Sequence, residues 1–476
     1  MRDYHVVRVN YLGGIASPGE LRNLLEILKS CEVADLRFGL RQQVIFKVSF
    51  LHEKTFFQRM EAAGIDYYIN ANPHPNVVSS YVAEEVFQRG NWLSEGIYKD
   101  IFDGFDFNPK LKVNISDNAQ SFTPFFSGHI NFISSEKPNF WYLYFRQPKS
   151  NELVAYDNLL FSTELAEISK KIEANVLENK DPFYAIPELI SSPVEQELKL
   201  PKFTLPYYEG FNRYGKKSWL GIYRRNETFR VSFLLDLCNL CISTKIGEIC
   251  VTPWKSIIIK NIEAKDRKSW SSLLAKHDIN VRHAANELNW QIEDDSPLAL
   301  KLKSRLVKYF NKMDLRTFGI CLGIKTVPRT EVFASIMVNR RKLLNLIPVY
   351  DITYTLDYDP NGRKVAYFAK GIAGFQLAER LRKSVLAFNE NISNETLFEG
   401  FESKEQATSE LETISIHECG NCQTIYQKEY GDLFNQIDPG TDFDDLPDDY
   451  VCPVCFSEKK QFAIREKLLH WLEEHT

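Results

Sequence analysis

Four cysteines near the end of the chain constrain it more than any other feature. They form two Cys-x-x-Cys pairs, Cys419 with Cys422 and Cys452 with Cys455, separated by 29 residues. Each pair places two sulfurs at the tip of a tight turn. Two such turns facing each other supply four thiolates in a tetrahedron, and soft S4 ligation of this kind selects zinc or iron. The 29-residue gap is longer than common zinc-ribbon spacings and favours iron; a structural, redox-silent zinc is the alternative. The other five cysteines are scattered. Cys238 and Cys241 fall in an apolar helical pattern and Cys250 in a strand pattern. With Cys31, they read as small buried core residues.

The surroundings of the four cysteines set them apart. A polar, acidic stretch from about Asn389 to Glu412 carries few large apolar residues and reads as a linker, 389–415. The segment 416–462 carries ten acidic and three basic residues, within a chain whose net charge is −5. A small acidic module therefore hangs from a nearly neutral body. After it, Ile464, Leu468, Leu469 and Leu472 fall at helical spacing, which predicts a C-terminal helix over 463–476. The charge balance argues against nucleic-acid and membrane-surface partners. No apolar leader and no run of 18 apolar residues is seen, so the expectation is a cytoplasmic protein outside the membrane.

The stretch Ile437–Cys455, IDPGTDFDDLPDDYVCPVC, resembles rubredoxin. So do the gap length and Tyr426, Tyr430, Gly431, Phe443, Pro453, Lys459 and Phe462. The resemblance implies one Fe(III)/Fe(II) ion held by Cys419, Cys422, Cys452 and Cys455, and one-electron transfer. It departs at Gln423 and Phe456, where rubredoxins usually place glycine after each pair; a side chain there is strained if φ is positive.

The body contains a weak repeat. Residues 21–48 and 234–260 each read as an apolar-periodic helix, a short turn, a strand broken by a polar pair and a β-branched run. Second helices follow at Lys54–Gly64 and Asp266–His277. Strand-rich segments follow each copy. Gly13–Phe46 resembles the ferredoxin-like half-domain of sulfite and nitrite reductases, as does Ile246–Ile262. Asn76–Phe87 and Pro109–Ser116 are similar to that family's sirohaem-binding lobe. The resemblance spans roughly residues 8–385.

It implies an α+β fold: a duplicated nitrite/sulfite reductase-like body of two ferredoxin-like half-domains (1–78 and 206–280) and two lobes (79–205 and 281–388), followed by the rubredoxin-like domain. It also implies that Arg37, Arg41, Lys110, Lys112 and Lys255 line a pocket for sirohaem carboxylates or a small oxyanion. Active members hold a 4Fe–4S cluster, coupled to sirohaem, by C-x5-C and C-x3-C in the second lobe. Here Cys321 stands alone and Lys325 occupies the position four residues on, so sirohaem and the cluster are not expected. The reading is an electron carrier serving assimilatory nitrate, nitrite or sulfite reduction, between a reductase donor and a reductase acceptor. A redox enzyme whose body binds a prosthetic group, and a structural zinc protein, are the alternatives.

Overall fold

The computed structural model describes the chain except residues 1–2, 88–91, 149–151, 187–189, 318, 328–331, 344–346, 407–412, 422–423, 427, 429–430, 433–434 and 469–476; the side chains of 392–415 and 465–468 are also outside the description. The chain forms two compact units, Met1–Phe388 and Asn389–Thr476.

The repeat is realised inside the first unit. One half-unit comprises strand Tyr4–Val9, helix Pro18–Ser30, strands Asp35–Phe38 and Val44–Ser49, and helix Glu53–Ala62. The other comprises strand Lys217–Ile222, helix Val231–Ser243, strands Ile249–Val251 and Ile257–Ile262, and helix Arg267–Lys276. The helix Pro18–Ser30 begins with proline, whose fixed φ suits a first turn and whose missing N–H is not needed there. It buries Leu21, Leu24, Leu25 and Leu28, an i, i+3, i+4, i+7 stripe. The second copy buries Leu234, Leu237, Cys238 and Cys241 on its equivalent face. Both stripes belong to one apolar cluster.

The two halves also exchange strands. Ile15–Ala16 of the first pairs with Ile249–Val251 of the second, and Phe229–Arg230 of the second pairs with Asp35–Phe38 of the first. Each five-stranded sheet is thus completed by the other copy. The loops between paired strands match in detail. Gly39 N–H donates to Gln43 O at 2.8 Å and Thr252 N–H to Ser256 O at 2.9 Å. Within each, one residue is left-handed, Gln42 at φ 57° and Lys255 at φ 55°.

The lobes repeat a second pattern. Val78–Ser79, Val113–Ser116 and Ile130–Ser134 run parallel, then Phe140–Arg146 turns antiparallel. Trp290–Ile292, Leu322–Lys325 and Ile336–Leu343 do the same before the antiparallel strands Ile347–Thr355 and Val365–Ala373. Parallel neighbours need crossovers, and helices Glu95–Asp103 and Pro297–Lys312 lie in two of them.

In the second unit, Thr413–Cys419 is the centre of a three-stranded sheet, flanked by Ile425–Tyr426 and Phe462–Leu468. This corrects the helix expected over 463–476. Residues 462–468 pair in register with 413–419, from Cys419 opposite Phe462 to Thr413 opposite Leu468; 469–476 lie outside the described residues. A seven-rung ladder overrides an apolar spacing compatible with either structure. The expected linker is also partly ordered: helix Leu377–Gln406 continues through its first half, and the strand from Thr413 takes its end. The unit packs around Tyr426, Ile437, Leu446 and Tyr450, with Phe443 and Phe462 against them.

Candidate metal centre and basic cavity

The cysteine centre is built by two hairpin turns. In the first, Cys419 N–H donates to Thr424 O at 2.8 Å; in the second, Cys452 N–H donates to Ser457 O at 2.8 Å. The same brace closes both because both carry the same Cys-x-x-Cys-x-(Ser/Thr) spacing. The thiol sulfurs of Cys419, Cys452 and Cys455 lie within 4.8 Å of one another. Cys419 Sγ and Cys455 Sγ are 3.6 Å apart. Metal–sulfur bonds of about 2.3 Å place tetrahedral sulfurs about 3.8 Å apart, so these residues fit one metal ion. Cys422, the expected fourth ligand, lies outside the described residues.

Phe456 adopts φ 58°, the left-handed conformation that glycine would take without strain; Gln423 is not described. Cys419 and Cys452 are buried and Cys455 is partly exposed. Beside it, Val454 and Phe456 are 65% and 63% exposed. The centre therefore has an apolar, solvent-facing edge on the Cys455 side. Behind it, Tyr450 O–H donates to Asp432 Oδ2 at 2.9 Å, and Lys459 Nζ donates to Leu446 O at 2.6 Å. His417 stacks on Phe443, centroids 4.1 Å apart, which accounts for its ring.

In the first unit, a cavity of about 1020 Å³ is lined by Arg8, Arg41, Lys112, Arg146, Lys325 and Arg363, with Glu293 and Asp294 among the remaining residues. Both acids are engaged. Glu293 accepts from the Thr326 and Val327 N–H groups at 2.6 and 2.8 Å, and Asp294 from Leu40 N–H at 3.0 Å. Arg363 donates to Phe126 O and Arg146 to Ser127 O and Gly128 O, each at 2.9 Å. Burial, reinforced by the neighbouring Arg146 charge, pulls the Arg363 pKa down to about 10. Cations crowded in this way favour a negatively charged occupant.

Of the five basic residues read from sequence, the structure brings Arg41 and Lys112 to this cavity. Arg41 is 2% exposed. Its guanidinium donates to Asn76 O at 2.9 and 2.7 Å, Val113 O at 2.8 Å and Asn114 Oδ1 at 3.3 Å. Lys255 is buried in an ion pair, its Nζ 2.9 Å from Glu227 Oε2 and 3.4 Å from Asp294 Oδ1. Arg37 pairs with Asp295 at 2.9 Å and lines a different groove. Lys110 is exposed; its N–H donates to Glu173 Oε2 at 2.6 Å. Sequence reading did not single out Arg8, Arg146 or Arg363, which come from segments far apart in the chain.

Cys321 is fully buried, its thiol donating to Phe333 O at 3.5 Å, and burial pushes its pKa far up. Burial likewise raises Cys238 to about 12 and Cys250 to about 11. The cavity's cations suit the carboxylates of a sirohaem. For a cysteine-held cluster, the segment offers one buried thiol and, four residues on, the Lys325 ammonium.

Comparison with known proteins agrees on both units. The Rubredoxin family model matches residues 416–462. Rubredoxin-1 of Chlorobaculum tepidum is 41% identical over 60 residues, 13% of this chain and 87% of that protein. Probable rubredoxin HupI of Bradyrhizobium diazoefficiens is 38% identical over 69 residues, 14% and 94% respectively. Probable rubredoxin HupJ of Rhodobacter capsulatus is 42% identical over 59 residues, and the chain spans 21% of its length. Among solved structures, the NirA protein of Mycobacterium tuberculosis superimposes with a TM-score of 0.57 at 15% identity, covering 74% of each chain. The body therefore shares the fold of NirA, as the duplicated α+β reading expects, and is joined to a small rubredoxin domain.

Proposed function

Because residues 416–462 make this chain a member of the rubredoxin family, we propose that it carries single electrons through one iron held by Cys419, Cys422, Cys452 and Cys455. Bound there, iron supplies a reversible Fe(III)/Fe(II) couple, with one electron in and the same electron out. The observation that carries the reading is the convergence of three cysteine sulfurs within 4.8 Å. Four thiolates hold both oxidation states in one geometry, so little rearrangement accompanies transfer. Tyr426, Phe443, Tyr450 and Phe462 exclude water behind the centre. Val454 and Phe456 give a partner an apolar approach beside Cys455. The acidic surface of 416–462 steers that approach toward a basic partner.

The expected partners are a reductase donor and an assimilatory nitrate, nitrite or sulfite reductase acceptor, in the cytoplasm. In this reading the body is a docking scaffold. A second reading is favoured by the basic cavity: the body binds sirohaem or another anionic prosthetic group and the rubredoxin domain feeds it electrons. Lys112 would then meet its carboxylates by charge-assisted hydrogen bonds, while Arg41, held by Asn76, Val113 and Asn114, adds positive charge to the wall.

The test is an absorption spectrum of the purified protein, oxidised and dithionite-reduced, with metal analysis of the same sample. A red, bleachable species with about one iron per chain supports the carrier, and it should vanish on changing Cys422 and Cys455 to Ser. Additional haem-like bands favour the second reading. A colourless protein holding only zinc after expression in iron-replete medium refutes both.

A further inference from the structure

Resting on the iron-centre reading, we propose that Ser457 is a positioning residue that sets the reduction potential of that centre. Its hydroxyl donates to Cys455 Sγ, and Asn421 orients it from the opposite turn. Ser457 Oγ lies 3.1 Å from Cys455 Sγ. Asn421 Nδ2 donates to the same Oγ at 3.2 Å. An amide N–H pointing at Oγ occupies an acceptor lone pair. The hydroxyl proton is then free to point at the cysteine sulfur 3.1 Å away.

The arrangement joins the two cysteine turns. Asn421 sits between Cys419 and Cys422, and Ser457 lies two residues beyond Cys455. The backbone of Ser457 is fixed independently, because its carbonyl accepts from Cys452 N–H at 2.8 Å. A side-chain substitution there leaves the brace of the turn in place. Among the described ligands, Cys455 is the one that reaches solvent, so water would otherwise compete for its sulfur.

The direction of the effect follows from charge. Four thiolates on Fe(III) carry one net negative charge and on Fe(II) two. A donor to sulfur stabilises the more negative, reduced state and raises the potential. Removing it favours the oxidised state without changing the ligands.

The experiment is a redox titration of the iron-loaded full-length protein against a reference dye, with visible spectra of the wild type, S457A, S457T and N421A. S457A should lower the midpoint, changing the ferric-to-ferrous ratio at fixed potential by roughly threefold to tenfold, tenfold being 59 mV for one electron. Its sulfur-to-iron absorption band should move. S457T keeps the hydroxyl and should restore the wild-type midpoint, and N421A should shift it in the S457A direction by a smaller amount. An iron-loaded S457A with unchanged midpoint overturns the proposal, as does S457T behaving like S457A. A wild-type protein that takes up no iron refutes the carrier reading instead, so the two failures are distinct.

Discussion

Arg41 offers the sharpest test of how the body is held together. Its guanidinium bridges the half-unit loop that carries it to the first lobe, donating twice to Asn76 O and once each to Val113 O and Asn114 Oδ1. Arg41→Ala removes these four bonds. Two backbone carbonyls lose a charged donor, and a buried acceptor left unsatisfied costs about 1–3 kcal/mol. The bare sum is about 2–6 kcal/mol. Arg41 borders the large cavity, so water can enter and satisfy part of what is exposed, which places the expected loss at about 2–4 kcal/mol. Arg41→Lys keeps the charge but cannot present the planar fork, so it should recover less than half of the loss. The assay is urea unfolding followed by tryptophan emission, which reports mainly on the body through Trp141, Trp219, Trp254, Trp270 and Trp290. The rubredoxin absorption is followed in parallel and should unfold at its wild-type midpoint. A loss below about 1 kcal/mol for Arg41→Ala would show that the bridge is not structural. Full recovery by Arg41→Lys would show that only the charge matters.

Two further outcomes follow from local geometry. Burial, opposed by Lys260 and reinforced by Glu85, Glu95 and Asp117, raises Glu84 to about 7; the folded state then binds more protons than the unfolded one between the ordinary carboxyl value and about 7, so stability should fall as pH rises through that window. Glu84→Gln should flatten this slope in denaturant midpoints taken from pH 5 to 8, and an unchanged slope would refute the assignment. Gly431 sits at φ 61°, and a β-carbon there would come 2.5 Å from Ile437 O, so Gly431→Ala should lower the rubredoxin melting temperature and speed iron loss to a chelator, while the body's unfolding midpoint stays put.

Much of this architecture was legible because its signals are local. The cysteine turns announce themselves by spacing, and the half-unit helices by the i, i+3, i+4 stripes of Leu21–Leu28 and Leu234–Cys241. What was not legible depends on residues distant in sequence. Ile464 and Leu468 have a spacing open to helix or strand, and only pairing with Thr413–Cys419 decides between them. Lys255 reads as a pocket cation until Glu227, 28 residues away, is seen beside it. The cation set of the cavity draws on Arg8, Arg146 and Arg363, which no local pattern links. Ser457 carries no local signal, because its role depends on the fold bringing its hydroxyl to Cys455 Sγ and Asn421 of the other turn.

The strand leading from Cys321 shows why the body can keep its fold independently of cluster chemistry. Cys321 O accepts from Ser335 N–H at 2.9 Å and Ile336 N–H at 3.1 Å, and Cys321 N–H donates to Ser335 Oγ at 3.2 Å. Leu322 to Lys325 then pair in parallel register with Ile336 to Asn339. None of these bonds uses a thiol, and Lys325 occupies its rung as well as a cysteine would. Fold is carried by backbone pairing and by Ile320, Leu322 and Ile324 in the lobe's core, whereas a site is carried by the few side chains that face the cavity. Substitution at those side chains can exchange one chemistry for another while the ladder remains. The test of whether it has done so lies in what the cavity lined by Lys112, Lys325 and Arg363 binds, not in the likeness of the fold.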